Sequence, residues 1–94
     1  MSPMPDEALS ALISNLNSVS FSDDKLSLIQ AAAASNHFTI SQTVAILQTL
    51  DFSPDKLKAL GMLRASIVDP QNAAQLGAVF TFSSDISAAM QMFQ

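Results

Sequence analysis

The stretch FSDDKLSLI, residues 21–29, returns as FSPDKLKAL at 52–60 and, more loosely, as FSSDISAAM at 82–90. The phenylalanines that open these stretches are 31 and 30 residues apart, so the chain has an internal period. A period of about 30 residues is typical of helical arrays, in which each unit is a helix pair that buries its apolar face against the next. The stretch therefore predicts three helix-pair repeats.

Each stretch has the features of a helix start. We place at the N-cap the serine that follows each phenylalanine, namely Ser22, Ser53 and Ser83. A serine hydroxyl there accepts a hydrogen bond from an unpaired amide, and the aspartate that follows lies near the positive end of the helix dipole. Phe21 and Phe52 then precede the cap with a leucine four positions into the helix, which is the spacing of a hydrophobic staple. We interpret the motif as a folding device with packed phenylalanines.

The alternative is that Asp23, Asp24 and Lys25 face a ligand. The stretch lacks the D-x-[DN]-x-[DN]-G spacing of a calcium loop, and no second pair of carboxylates completes a metal site. Helix initiation leaves only the recurring lysine unexplained, and the third unit has Ile86 at that position.

Apolar residues recur at helical spacing along the chain and predict six short helices. Leu57, Leu60, Leu63 and Ile67 mark the fourth helix, and a stripe from Ala73 to Val79 marks the fifth. We expect Ser41 to cap the third helix, and Asp69 to cap the fifth with Pro70 at its first position. The predicted fold is all-α, with about six short helices as three helix-pair repeats in a compact right-handed superhelical bundle.

Composition limits the function. The chain has 94 residues, which suits one domain, and we divide it into a flexible N-terminus at 1–4 and one helical domain at 5–94. Four basic residues against eight acidic ones give a net charge of −4, which disfavours phosphate neutralisation and so nucleic-acid binding. The N-terminus lacks the pattern of a signal peptide, and no stretch is long enough to span a membrane. We expect an intracellular, soluble protein.

Catalytic chemistry has little support in the sequence. There is no cysteine, and the one histidine, His37, has no second histidine as a metal-binding partner. Nucleophile-elbow and phosphate-binding glycine motifs are absent. We therefore expect a chain that is not an enzyme, with no catalytic, cofactor-binding or metal-binding residue and no cofactor.

Methionine-rich surface suits adaptable partner grooves, and the apolar residues near the C-terminus are too many for one narrow helix stripe. The candidate partner surface consists of Met62, Met90, Met92 and Phe93.

The repeated motif and the segment between its first two copies resemble a small all-helical domain of unknown function, found in bacterial and eukaryotic proteins. The residues that carry the resemblance are Phe21, Asp24, Lys25, Leu26, Asn36, Phe38, Thr39, Phe52, Asp55, Lys56 and Leu57. The resemblance implies an all-helical domain and brings no catalytic residues with it.

These features predict a non-enzymatic protein–protein interaction module that binds a protein partner or its own copy. One alternative is a small-molecule or lipid-binding helical bundle with an apolar pocket. Another is a hydrolase that uses an unrecognised serine or aspartate with His37.

Overall fold

The computed structural model describes all residues 1–94. Its five α-helices are α1 (Asp6–Ser18), α2 (Ser22–Ser35), α3 (Ile40–Leu47), α4 (Ser53–Leu63) and α5 (Ser83–Gln91). Two segments have the tighter 3₁₀ geometry, a single turn at Arg64–Ser66 and a longer run at Pro70–Val79, which we call the 3₁₀ helix. No strand is present, and one bridging residue pair lies outside the helices. The predicted all-α class is confirmed.

The fifth element is a 3₁₀ helix rather than the α-helix expected from the sequence. Its buried residues Ala73, Leu76 and Val79 recur at every third position, which matches the three residues per turn of 3₁₀ geometry. Asp69 and Pro70 do precede and open this element, as predicted. The Asp69 carboxylate, however, accepts the backbone amide of Ile40 at 2.7 Å, and from its own helix it accepts only the side-chain amide of Asn72, at 2.9 Å.

Helix α4 ends at Leu63, one turn earlier than its apolar stripe predicts. After the Arg64–Ser66 turn, Ile67 is extended and bridges Phe38 in parallel. The Phe38 amide donates to the Ser66 carbonyl, and the Val68 amide donates to the Phe38 carbonyl, both at 2.9 Å. These hydrogen bonds pair residues 66–68 with Phe38 instead of continuing the helix, and Ile67 remains buried in this extended conformation.

The elements pack in two rows. One row contains α1, α3 and the 3₁₀ helix, with α3 in contact with both of the others. The other row contains α2, α4 and α5, with α4 in contact with both of its neighbours. The rows meet where α3 packs on α4 and where the 3₁₀ helix packs on α5. The central elements α3 and α4 therefore supply much of the core.

The N-terminal segment is attached to this core at Met4, which is buried. The Met4 amide donates to the His37 carbonyl at 2.7 Å, and the Met4 carbonyl accepts from the side-chain amide of Gln42 at 2.7 Å. Gln42 is itself buried, and its other side-chain atom accepts the Thr39 amide at 3.0 Å. Residues 1–4, which the sequence predicts to be flexible, are therefore attached to the core through their last residue, Met4.

The helix starts differ from the serine-capped arrangement predicted above. The residues at the three N-cap positions are Phe21, Phe52 and Phe82, each with an extended backbone. Their carbonyls accept the first intrahelical bonds, and no side chain caps these helices. Each serine is therefore the first helical residue. The predicted cap and staple are both wrong, because each helix starts one residue earlier than the motif suggested.

Helix α3 has the one capping box of the fold. Thr39 is the N-cap, and its hydroxyl oxygen accepts a hydrogen bond from the backbone amide of Gln42 at 3.0 Å. The side-chain oxygen of Gln42 in turn accepts a hydrogen bond from the backbone amide of Thr39. Ser41, the predicted cap, lies inside the helix and is exposed. Threonine followed three residues later by glutamine is the sequence signature of this box.

Candidate functional site

Phe21, Phe52 and Phe82 are, after Met1, the most exposed large hydrophobic residues of the protein. Their exposed fractions are 73%, 66% and 65%. We call these three residues the phenylalanine edge. Single exposed hydrophobic residues are ordinary on protein surfaces. Three at matching positions, each the N-cap of a helix in the same row, form a candidate contact surface.

The recurring lysines fix the register of this edge. Lys25 Nζ donates to the Thr49 carbonyl at 2.9 Å, and Lys56 Nζ donates to the Val79 carbonyl at 2.9 Å. Each lysine is the fourth residue after one edge phenylalanine, and each carbonyl is the third residue before the next. Two equivalent bonds therefore set the spacing from Phe21 to Phe52 and from Phe52 to Phe82. The third copy of the motif has Ile86 in the lysine's place.

A groove of about 580 Å³ lies between the N-terminal ends of α4 and α5. Two edge residues, Phe52 and Phe82, are its hydrophobic lining. The remaining lining residues are Asp51, Ser53, Pro54, Thr81, Ser84 and Asp85. Hydroxyl and carboxylate oxygens thus surround two exposed rings, and the groove can bind both apolar and hydrogen-bond-donating groups.

The edge is also acidic. Five of the eight acidic residues of the chain lie within three positions of its phenylalanines, and they are Asp23, Asp24, Asp51, Asp55 and Asp85. None of these carboxylates accepts a side-chain hydrogen bond within the chain, whereas Asp69 accepts two. Four of them, all except Asp51, lie in the first turns of α2, α4 and α5, where the helix dipole stabilises a negative charge.

The partner surface expected from the sequence lies away from this edge and is partly buried. Met62, Met90, Met92 and Phe93 all pack against the hydrophobic core. Arg64 lies over the Phe93 ring at 4.5 Å from its centroid, and its Nε donates to the Met92 carbonyl at 2.8 Å. A partner role for these four residues stays a prediction.

The half-buried His37 contributes its backbone carbonyl to the N-terminal attachment. No group of three or more histidine, cysteine, aspartate or glutamate side chains is placed to hold a metal ion. None of the helices is long and apolar enough to cross a membrane.

Sequence reasoning missed the phenylalanine edge because it assigned these rings to the core. The lysine was the signal that could have found it. If the lysine is the fourth helical residue, the phenylalanine must be the N-cap, with its side chain outside the first turn. The third copy of the motif lacks that lysine and still begins a helix, so helix initiation does not require the lysine.

Comparison with known proteins gives a family without an assigned activity. No curated protein and no solved structure matches the chain. The family model described as "Domain of unknown function (DUF4476)" matches residues 3–93. This confirms the expected relationship to a domain of unknown function. Because the match covers nearly the whole chain, the protein belongs to the DUF4476 family.

Proposed function

We propose that this domain is a non-enzymatic protein–protein interaction module whose contact surface is the phenylalanine edge. The observation that carries the proposal is the exposure of Phe21, Phe52 and Phe82 on equivalent helix starts. Complete burial of one such ring by a partner contributes about 1.5–3 kcal/mol. Three rings in register supply enough apolar surface to anchor a partner.

We also propose a helical-repeat architecture, in which the two rows of elements are the stacked first and second helices of three units. The hydrogen bonds from Lys25 and Lys56, which we call the lysine ties, support this proposal because they lie at equivalent positions of the motif. Stacked units present the same surface position again at each step, which produces an extended binding face. The edge is such a face, with one phenylalanine from each unit.

The groove favours a protein partner over a small-molecule or lipid ligand. Pockets for small ligands are concave and mostly apolar, with a few polar groups. Of the residues that line this groove, the two phenylalanines are hydrophobic and the others are mainly hydroxyl and carboxylate residues. A mixed apolar and polar lining of this kind is typical of a protein interface.

Photo-crosslinking tests the proposal. Benzoylphenylalanine is introduced at position 82 in the intact chain, and at exposed Ser14 of α1 as the matched control. We expect a discrete covalent adduct from position 82 in cells and none from position 14. Equal labelling from both positions, or none from either, contradicts the proposal. An adduct of twice the mass of the chain identifies a second copy as the partner. A small ligand that co-purifies in native mass spectrometry supports the alternative.

A further inference from the structure

We infer that the groove between Phe52 and Phe82 takes an extended, basic segment of a partner protein, with arginine side chains over the rings and against the carboxylates. The inference rests on the proposed function, because it names the chemistry of the partner at the same surface. Three observations support it. The edge is negatively charged, most basic side chains of this chain already make contacts within the chain, and the two rings line the same groove.

Asp51 and Asp85 line the groove, and Asp55 follows in the first turn of α4. No side-chain donor of the chain satisfies these three carboxylates. Each helix start carries about half a positive charge, so the starts of α4 and α5 together offset about one of the three carboxylate charges. The groove therefore has a negative charge that a cationic partner complements, and complementary charge favours encounter and register.

A second copy of this chain cannot supply the cations. Three of its four basic side chains already make contacts within their own chain. Lys25 and Lys56 donate to backbone carbonyls, and Arg64 lies over the Phe93 ring and donates to the Met92 carbonyl. Only Lys58 is both exposed and outside these bonds. A second acidic edge facing the first would add repulsion. The occupant is a different polypeptide that brings its own positive charge.

Arginine fits the groove better than lysine. A guanidinium stacks on an aromatic face and forms paired hydrogen bonds to a carboxylate, whereas an ammonium is a compact, strongly hydrated charge. The contact between Arg64 and Phe93 within this chain has the same chemistry. In the groove, a ring and an aspartate are close enough to line one cavity, so one arginine can use both.

The helix packing sets the spacing of the partner residues. Helices α4 and α5 are in contact, and packed helices lie about 8–10 Å apart. An extended chain of the polyproline II type advances about 3.1 Å per residue and repeats its side-chain direction every three residues, so three residues cover that distance on one face. A partner segment of this type that crosses both helix starts should present arginine at every third position.

The test uses the intact chain, labelled with ¹⁵N, and three synthetic peptides. The probe is a nonapeptide of three Arg-Ser-Gly units, and the other two carry citrulline or glutamate in place of arginine. We expect saturable amide shift changes at 51–56 and 81–86 with the arginine peptide alone. Because the contact is ionic, its Kd should rise by about tenfold when salt is raised from about 50 to about 500 mM.

Charge variants test the location. Asp51→Asn with Asp85→Asn should raise the Kd about fivefold or more, since both carboxylates that line the groove are removed. The matched control, Asp6→Asn with Glu7→Gln on α1, changes net charge equally and should have an effect of less than about twofold. Phe82→Leu keeps an apolar side chain and should weaken binding by several-fold through the lost ring face.

The outcomes separate this inference from the proposed function. Equal binding of the arginine and citrulline peptides, or no saturable shift with any peptide, overturns the basic partner. If position 82 still crosslinks to a protein in that case, the interaction function stands and the partner is neutral. Equal effects of the groove and α1 charge variants overturn the location.

Discussion

At the residue scale, the edge phenylalanines are exposed to solvent because each occupies the N-cap position of a helix. A residue at the N-cap has an extended backbone and gives its carbonyl to the helix, while its side chain lies outside the first turn. Phe21, Phe52 and Phe82 hold this position, whereas Phe38 is fully buried in the core. The same residue type is thus a core residue in one place and a surface residue in three others.

Phe52→Ala should change the free energy of unfolding by less than about 0.5 kcal/mol, because an exposed side chain loses few contacts. The matched change in the core, Phe38→Ala, should cost about 3–5 kcal/mol. Urea unfolding followed by circular dichroism measures both. A large loss for Phe52→Ala would place its ring in the core and remove the phenylalanine edge.

The sequence predicted the position of these residues better than their environment. The period and the helix starts were visible in FSDDKLSLI and its copies, to within one residue. The shift of one residue changed the prediction for the phenylalanines from buried to exposed. Phenylalanine occupies the N-cap position that was assigned to serine, and serine is the first helical residue. A local motif states that a helix begins nearby, but the exposure of a side chain depends on tertiary packing, which a capping pattern does not contain.

At the element scale, each lysine tie joins the start of one helix to the end of an element in the other row. The Lys25 ammonium reaches the carbonyl of Thr49, just beyond the end of α3, and Lys56 reaches that of Val79 at the end of the 3₁₀ helix. A cation at this end of a helix is favoured by its dipole, and the carbonyls there lack intrahelical partners. One hydrogen bond therefore satisfies a carbonyl at the end of one element and joins the two rows of elements.

Lys56→Met should lower the free energy of unfolding by about 1.5 kcal/mol, the lower part of the range for hydrogen bonds to charged groups, because this bond is only part-buried. Lys58→Met removes the same charge from an exposed position two residues away and should have almost no effect. Thermal and urea unfolding of the two variants make the comparison. Equal losses for both would mean that charge alone, and not the tie to Val79, stabilises the fold.

Element type was harder to predict than element position. The buried residues Ala73, Leu76 and Val79 suit a 3₁₀ helix by their spacing, yet the alanine-rich composition around them favours an α-helix. The start of the element is also held by a contact that is remote in sequence, since the Asp69 carboxylate accepts the backbone amide of Ile40 in α3. A contact between positions 29 residues apart cannot be read from a local window.

At the scale of the whole molecule, we expect the isolated domain to stay a monomer. Its net charge is −4, and five of its eight acidic residues lie within three positions of the phenylalanines of the apolar edge, which is the surface that could pair with a second copy. Light scattering over an about hundredfold concentration range should return a constant mass near 10.0 kDa. A mass that grows with concentration would show that copies associate in spite of this charge, and would move the search for the partner to the chain itself.

The lysine ties also set a rule for lengthening the molecule. A second copy of residues 39–68, inserted after Val68, brings a new acceptor carbonyl for Lys56 and a new lysine for Val79, so every lysine tie keeps its donor and its acceptor. A duplicate of residues 69–94 leaves Ile86 where a donor is needed. Residues 39–68 are therefore the segment whose duplication preserves the lysine ties, and each added copy would extend the row of exposed rings by one.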